Sequence, residues 1–312
     1  MALETDLLID RRRLKRSLAV WRVVALLAVL AAIGLVASET REARSLLGGS
    51  VARLTVTGLI AEDRERDEAL LRVAEDGSVR ALIVAIDSPG GTVSGGEALH
   101  RALAKVAERK PVVAVLRGTA ASAGYMVALP AARIFAREAT VTGSIGVILQ
   151  TVEFAGLLER LGIRAEALTS GALKDQPSPF RPLTPEGRAA LEAVVQDLYA
   201  QFVAMVAAGR RMEPERVRAL ADGRVFTGRQ ALAEGLVDAI GGEAEARAWL
   251  AAEKGVPASL PIREIAPDEA GRLLPRLVRE TRKALVSERL SLDGLMAVWH
   301  PSLIGAARGG GE

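Results

Sequence analysis

Residues Ala81–Pro130 read ALIVAIDSPGGTVSGGEALHRALAKVAERKPVVAVLRGTAASAGYMVALP. The stretch opens on an unbroken apolar run, Ala81–Ile86, whose length and branched side chains suit a strand buried on both faces. After the Pro89–Gly90–Gly91 turn, Ser94 with Glu97 three places on forms a capping box, which predicts a helix over 95–108. Pro111 closes that unit, and Pro111–Leu116 (PVVAVL) is a second strand. The small residues Ala120–Gly124 let another helix start tightly against the sheet, with Pro130 marking its end. Strand, helix, strand and helix in succession predict a layered α/β fold.

The same alternation extends in both directions. Val51–Ile60 reads as the first strand. On the other side, Ile134–Ala136 and Ile145–Leu149 read as short strands separated by a turn at Thr142–Gly143–Ser144, followed by a helix over 152–161 and a strand over 164–168. The pattern then breaks, because Gly171–Pro182 holds three prolines and no periodicity and must be a loop. Thr184, Pro185 and Glu186 are a cap, a first-turn proline and a first-turn carboxylate for a long helix to about Gly209. Shorter helices follow over 213–220, 230–234 and 243–253, and 268–295 has apolar residues at helical spacing with arginines opposite. No fixed period suggests a solenoid.

Composition narrows the function classes. The chain has 312 residues, half of them apolar, which suits one main domain. Aromatics make up only 3%, so the core must be aliphatic. Net charge is +3 with no basic patch interleaved with aromatics, which argues against nucleic acid as a partner. With no cysteine, disulfides, thiolate metal sites and a cysteine nucleophile are excluded.

The positive charge gathers at the amino end. Arg11, Arg12, Arg13, Lys15 and Arg16 precede a nearly pure apolar run over 17–38, in which Arg22 lies near enough to the basic end to snorkel. The positive-inside rule puts residues 1–16 in the cytoplasm and everything after Ser38 across the membrane. A cleaved signal has the same layout, but the apolar run is longer than a usual signal core, which favours a retained anchor. Residues 39–50, charged and then glycine-rich, read as a linker.

Catalysis can be approached by elimination. The chain holds only His100 and His300, neither placed for a Ser-His-Asp triad, and no histidine pair at zinc-ligand spacing, so no metal and no cofactor is expected. A serine can instead be activated by a lysine that burial keeps uncharged. Lys174, within the aperiodic loop, is the lysine that stands out, although by itself it reads first as a solvated loop residue.

Four motifs in order give these residues a context: Asp87–Gly91 (DSPGG), Ala121–Tyr125 (ASAGY), Thr142–Val147 (TGSIGV) and Ser170–Asp175 (SGALKD). Together they resemble signal peptide peptidase A, a family of peptidases sharing the ClpP/crotonase fold. The likeness continues through Ala221–Gln230 and Gly235–Asp238 and covers roughly 51–242. The resemblance implies Ser122 as nucleophile, Lys174 as general base, Ser144 orienting the lysine, and the N–H groups of Gly91 and Ala123 as oxyanion hole. The chain departs from the commonest family pattern at Ala123 and Met126, but only the backbone of Ala123 is needed.

The resemblance further implies a peptidase domain over 51–267 and hydrolysis of remnant signal peptides and other short, unfolded, apolar peptides. It implies a homo-oligomer with sites at subunit interfaces, in which a half-length subunit can receive its lysine from a neighbour. The location it implies is the bacterial inner membrane, with residues 17–38 in the lipid and the catalytic domain outside the cytoplasm. Residues 268–312 are expected to be a helical extension with a flexible end. The rival reading is a non-catalytic scaffold or an acyl-CoA-binding protein on the same fold; CoA chemistry fits poorly beyond the membrane and would not require both Ser122 and Lys174.

Overall fold

The apolar run Ala81–Ile86 is the middle of a central strand, and its alternate residues enter two separate cores. Leu82, Val84 and Ile86 join one apolar cluster, and Ala81 and Ile83 join another on the opposite face. A strand covered on both sides has no need of polar alternation, and this one has none. The structure, a computed structural model, describes residues 21, 25–28, 48–265 and 295–298.

In chain order the body begins β1 (Ser50–Ile60), α1 (Arg64–Glu75), β2 (Val79–Thr92), α2 (Val93–Ala107), β3 (Val112–Ala121), α3 (Ala123–Met126), β4 (Arg133–Ala136) and β5 (Val141–Gly143). Then come β6 (Ile148–Leu149), α4 (Ala155–Arg160), α5 (Pro185–Arg210), α6 (Pro214–Leu220), β7 (Val225–Thr227) and α7 (Gly228–Ala233). The last elements are β8 (Ala239–Ile240), α8 (Glu243–Lys254), β9 (Ile262–Glu264) and β10 (Leu295–Val298). One mixed sheet contains the strands, with the path β6-β10-β2-β3-β4-β8 and the remaining strands attached at its sides. The central pairs β1/β2, β2/β3 and β3/β4 are parallel, as the strand–helix alternation requires. The larger core packs α1, α2, α3 and α5–α7 on one face, while Ala246 and Leu250 of α8 cover the other.

Several expectations are corrected. The cap of α2 is Thr92, whose hydroxyl accepts from Gly95 N–H at 3.1 Å, and not Ser94. The expected turn at 142–144 lies partly in β5, because Thr142 is held in the sheet by its hydroxyl, which donates to Ala120 O at 2.7 Å. The strand expected over 164–168 is absent; those residues are irregular and exposed, with no strand beside them among the described residues. Helix α1 had no expectation.

The helix begun by Thr184 holds as expected, its hydroxyl accepting from Gly187 N–H at 3.0 Å. Among the described residues α5 is the one helix long and apolar enough to cross a membrane. Its last turns nevertheless bury Phe202, Val203 and Val206 in the body. Of the anchor expected over 17–38, residues 21 and 25–28 are helical, with Trp21, Leu26 and Leu27 exposed; the rest lies outside the described residues. Most of the extension expected over 268–312 also lies outside them, and its described part, 295–298, is strand β10.

Candidate active site

Ser122 sits at the joint between β3 and α3, with φ 55° and ψ −119°, a conformation that an L-residue holds only under strain. Three amide–carbonyl bonds lock the joint: Ser122 N–H donates to Gly143 O at 2.8 Å, and the N–H groups of Tyr125 and Met126 both donate to Ser122 O at 2.9 Å. The residue is fully buried, yet its hydroxyl has no hydrogen-bond partner among the described residues. A buried hydroxyl left unpaired costs about 1–3 kcal/mol, so strain and an orphaned donor coincide on one side chain.

The sheet brings Ser144 to the same place. β3 and β5 pair in parallel, Ala120 with Thr142 and Ala121 with Gly143, so Ser122 and Ser144 are the next residues of each strand as they leave the sheet. Ser144 too has positive φ, 49°, is nearly buried, and is fixed by its N–H donating to Arg224 O at 2.8 Å.

The Gly90–Gly91 turn is anchored by Ser88, whose buried hydroxyl donates to Gly58 O at 2.6 Å and accepts from Gly90 N–H at 3.1 Å. Gly91 cannot be replaced at no cost, because a Cβ there would stand 1.8 Å from Ile60 O. At Gly124 a Cβ would fall 2.7 Å from Ser88 O, so the missing side chain is what lets α3 lie against the turn. Ala123, first residue of α3, presents an N–H with no intrahelical acceptor. Ser88 and Thr142 are the supporting residues that sequence reasoning gave no role; their hydroxyl bonds link segments far apart in the chain.

Lys174 is not brought to this cluster. It is exposed, in a turn closed by its own N–H to Gly171 O at 3.0 Å, with Asp175 beside it paired to Arg181 at 2.6 Å. The surrounding segment, residues 151–201, is mostly exposed and carries bare apolar side chains such as Val152, Phe154, Leu157, Leu161, Ile163 and Leu168. His100 lies half-buried on α2; burial depresses its pKa, opposed by Glu97 and helped by Arg101. Tyr125 is wholly buried and donates to Leu236 O at 2.7 Å, and burial pushes its phenol well up. Neither ring faces Ser122 in any hydrogen bond.

Residues 104–257 match Peptidase family S49. A candidate protease of Synechocystis sp. is 43% identical over 207 residues, which cover 66% of this chain and 75% of that protein. A candidate signal peptide peptidase of Enterococcus faecium is 36% identical over 218 residues, covering 65% of this chain and 63% of the relative. The chain thus spans three quarters of the one and somewhat under two thirds of the other. Among solved structures, a ClpP1 mutant of Listeria monocytogenes aligns with a TM-score of 0.41 at 17% identity, covering 62% of this chain and 92% of that one.

Proposed function

The chain belongs to peptidase family S49, the signal peptide peptidase A family, and on that premise we propose that it is a membrane-anchored serine endopeptidase of ClpP/crotonase type, working by a Ser122–Lys174 dyad. The observation that carries the reading is the strained, buried and unpartnered hydroxyl of Ser122. Groups held in such a state cost stability and survive where they serve a reaction.

The steps follow from the groups available. An uncharged Lys174 amine takes the proton of Ser122 Oγ as the oxygen attacks the scissile carbonyl carbon. The negative charge that develops on the carbonyl oxygen is met by the N–H groups of Gly91 and Ala123, both fixed before substrate arrives. Lys174 returns the proton to the leaving amine, giving an acyl-enzyme on Ser122 and a free peptide amine. Water then repeats the sequence and restores the serine. Ser144 donates to or accepts from the amine and holds it toward Ser122.

An exposed amine does not stay uncharged at neutral pH, so the dyad needs Lys174 to be sheltered. The bare apolar side chains around it supply the means, since a neighbouring copy packed on the 151–201 segment would cover both them and the amine. We therefore place Lys174 of one protomer at Ser122 of the next, in a homo-oligomer. The substrates are short, unfolded, apolar peptides, including signal-peptide remnants, met on the extracytoplasmic side of the bacterial inner membrane to which residues 17–38 tether the chain. No metal, cofactor or nucleic acid enters the reaction.

A fluorophosphonate probe tests the reading. Mass spectrometry should find the adduct on Ser122 of the detergent-solubilised chain, and Ser122→Ala should abolish both adduct and peptide hydrolysis. An adduct on another residue, or hydrolysis undiminished in Ser122→Ala, removes the dyad.

A further inference from the structure

β3 carries more residues than the strand it pairs with. Between the pairs Ile86/Leu116 and Ser88/Ala120, β2 advances two residues while β3 advances four, so the chain around Arg117–Thr119 bulges out of the ladder. At the same level β3 changes partners. Leu116 is the last residue paired with β4, opposite Ala136, and Thr119 is the first paired with β5, opposite Val141. Continued from Ile86/Leu116 without a bulge, the register would carry Ser122 to the level of Thr92. The bulge draws it back by two residues, about 7 Å along β2, to the level of the Gly90–Gly91 turn.

A bulge takes main-chain groups out of the ladder, and here two side chains receive them. Asp87 Oδ1 accepts the N–H of Thr119 at 3.0 Å. The buried Thr140 hydroxyl donates to Arg117 O at 2.6 Å, with Leu116 O 3.2 Å from the same oxygen, and accepts from Arg137 N–H at 3.0 Å. Thr140 thus ties the bulge to the segment between β4 and β5. Gly118 makes room for the carboxylate, since a Cβ there would stand 3.2 Å from Asp87 Oδ1. Asp87 is exposed and its neighbour Ser88 is buried, so successive residues of β2 serve opposite faces. One holds the bulge that precedes Ser122, and the other holds the glycine turn.

We propose that Asp87 and Thr140 are positioning residues for Ser122, setting through the β3 bulge how far the nucleophile stands from the Gly91 N–H. The proposal rests on the reading above that Ser122 attacks and Gly91 receives the oxyanion. Both side chains act on the backbone that carries Ser122. Thr119 is three residues before it, and Ala120 and Ala121 in between stay paired with β5, so a shifted bulge carries the joint with it. A displacement of about 1 Å at a reacting atom can cost on the order of 10²-fold in rate. Asp87 serves here as a hydrogen-bond acceptor and not as a charge, so a neutral amide of the same shape can take its place.

Paired substitutions separate acceptor from charge. In the full solubilised chain, Asp87→Ala should lower kcat for a short apolar peptide about 10- to 100-fold and leave KM within about 2-fold. Asp87→Asn, which keeps the Oδ1 acceptor, should recover most of that loss; Thr140→Val should fall and Thr140→Ser recover in the same way. Fluorophosphonate labelling of Ser122 should slow in step with kcat. In a Ser122→Ala background, Asp87→Ala should leave binding of a fluorescent apolar peptide, read by anisotropy, unchanged. Should Asp87→Ala not fold, Gly118→Ala presses the carboxylate away from Thr119 and should lower kcat about 3- to 10-fold. Parental kcat in Asp87→Ala and Thr140→Val, a loss that appears in KM instead, or an Asp87→Asn chain as slow as Asp87→Ala overturns the proposal and leaves the peptidase reading intact. A parental chain that neither hydrolyses peptide nor takes the label on Ser122 removes that reading, and the proposal with it.

Discussion

Around Ser122 the neighbouring residues are buried and the backbone is held by bonds from three segments: Gly143 O takes its N–H, Ser88 ties the glycine turn to Gly58, and Arg224 O takes Ser144 N–H. Around Lys174 the chain is bare, and Leu168, six residues before it, is 93% exposed. One region is closed over by its own chain and the other is open to solvent. Yet the chemistry asks for the opposite of what is bare, because a serine hydroxyl tolerates many surroundings whereas a lysine base must be kept from water. Under the proposal that Lys174 of one protomer serves Ser122 of the next, the exposed half is the one that a neighbouring copy would cover.

The largest expected effect breaks the comparison directly. Ser122→Ala and Lys174→Ala should each lower hydrolysis on the order of 10⁴-fold or more. Co-assembled from equal amounts of the two variants, oligomers should recover about a quarter of parental activity if the lysine crosses to a neighbour, since random mixing pairs an intact serine with an intact lysine at one site in four. Recovery at background level would return the lysine to its own chain.

The joint between the two regions comes next. Arg210, at the end of α5, donates to Gly235 O at 3.0 Å and pairs with Asp238 at 2.6 Å, with only 8% of its side chain exposed. Arg210→Ala strands a carboxylate whose other partner is the N–H of Ile134, and should cost about 3–5 kcal/mol, read as a lowered thermal midpoint. Leu168→Ser on the bare segment should leave that midpoint within about 0.5 kcal/mol of stability and instead reduce the sedimenting mass. A midpoint that falls as far in both variants would erase the distinction between body and arm.

Within the body, Gly91→Ala must displace Ile60 O or the turn itself, and should lower kcat on the order of 10²–10³-fold by moving the Gly91 N–H out of place. Ser122→Gly should go the other way in stability. Glycine adopts positive φ freely, and removing the unpaired hydroxyl removes its desolvation cost, so denaturation should show a gain of about 1–3 kcal/mol alongside lost activity. A destabilised Ser122→Gly chain would mean that the joint is not strained.

The smallest effect belongs to the edge far from the site. Ser78's hydroxyl, then Arg263 and Ser78 N–H, hold Asp76 at about 2 against an ordinary 3.8. A carboxyl lowered on folding contributes stability above pH about 4, and that contribution is lost as pH falls through about 2. Asp76→Asn should therefore lower the thermal midpoint slightly at pH 6 and leave it unchanged near pH 2, with hydrolysis unaffected.

Much of this was legible in the residues. The apolar run Ala81–Ile86, the strand at 112–116 and the Thr184–Pro185 start of α5 rest on periodicity and local caps, which are properties of neighbours in sequence. What was misread depended on partners far away. Residues 164–168 have the composition of a strand but no edge to pair with, and Thr142 looks like a turn residue until Ala120 O is placed beside it. Strand β10 could not have been foreseen at all, because its four residues are extended only by virtue of two edges more than 140 positions earlier in the chain.

By itself the sequence determined the family, the α/β order of elements and the chemical identity of the candidate groups, since these depend on which residues follow which. Only the tertiary structure decided that the serine is strained and, among the described residues, unpartnered, that the lysine is bare, and that β10 pairs with β2 beside Gly91. Burial and main-chain pairing are relations between distant segments, and no local pattern of side chains encodes them.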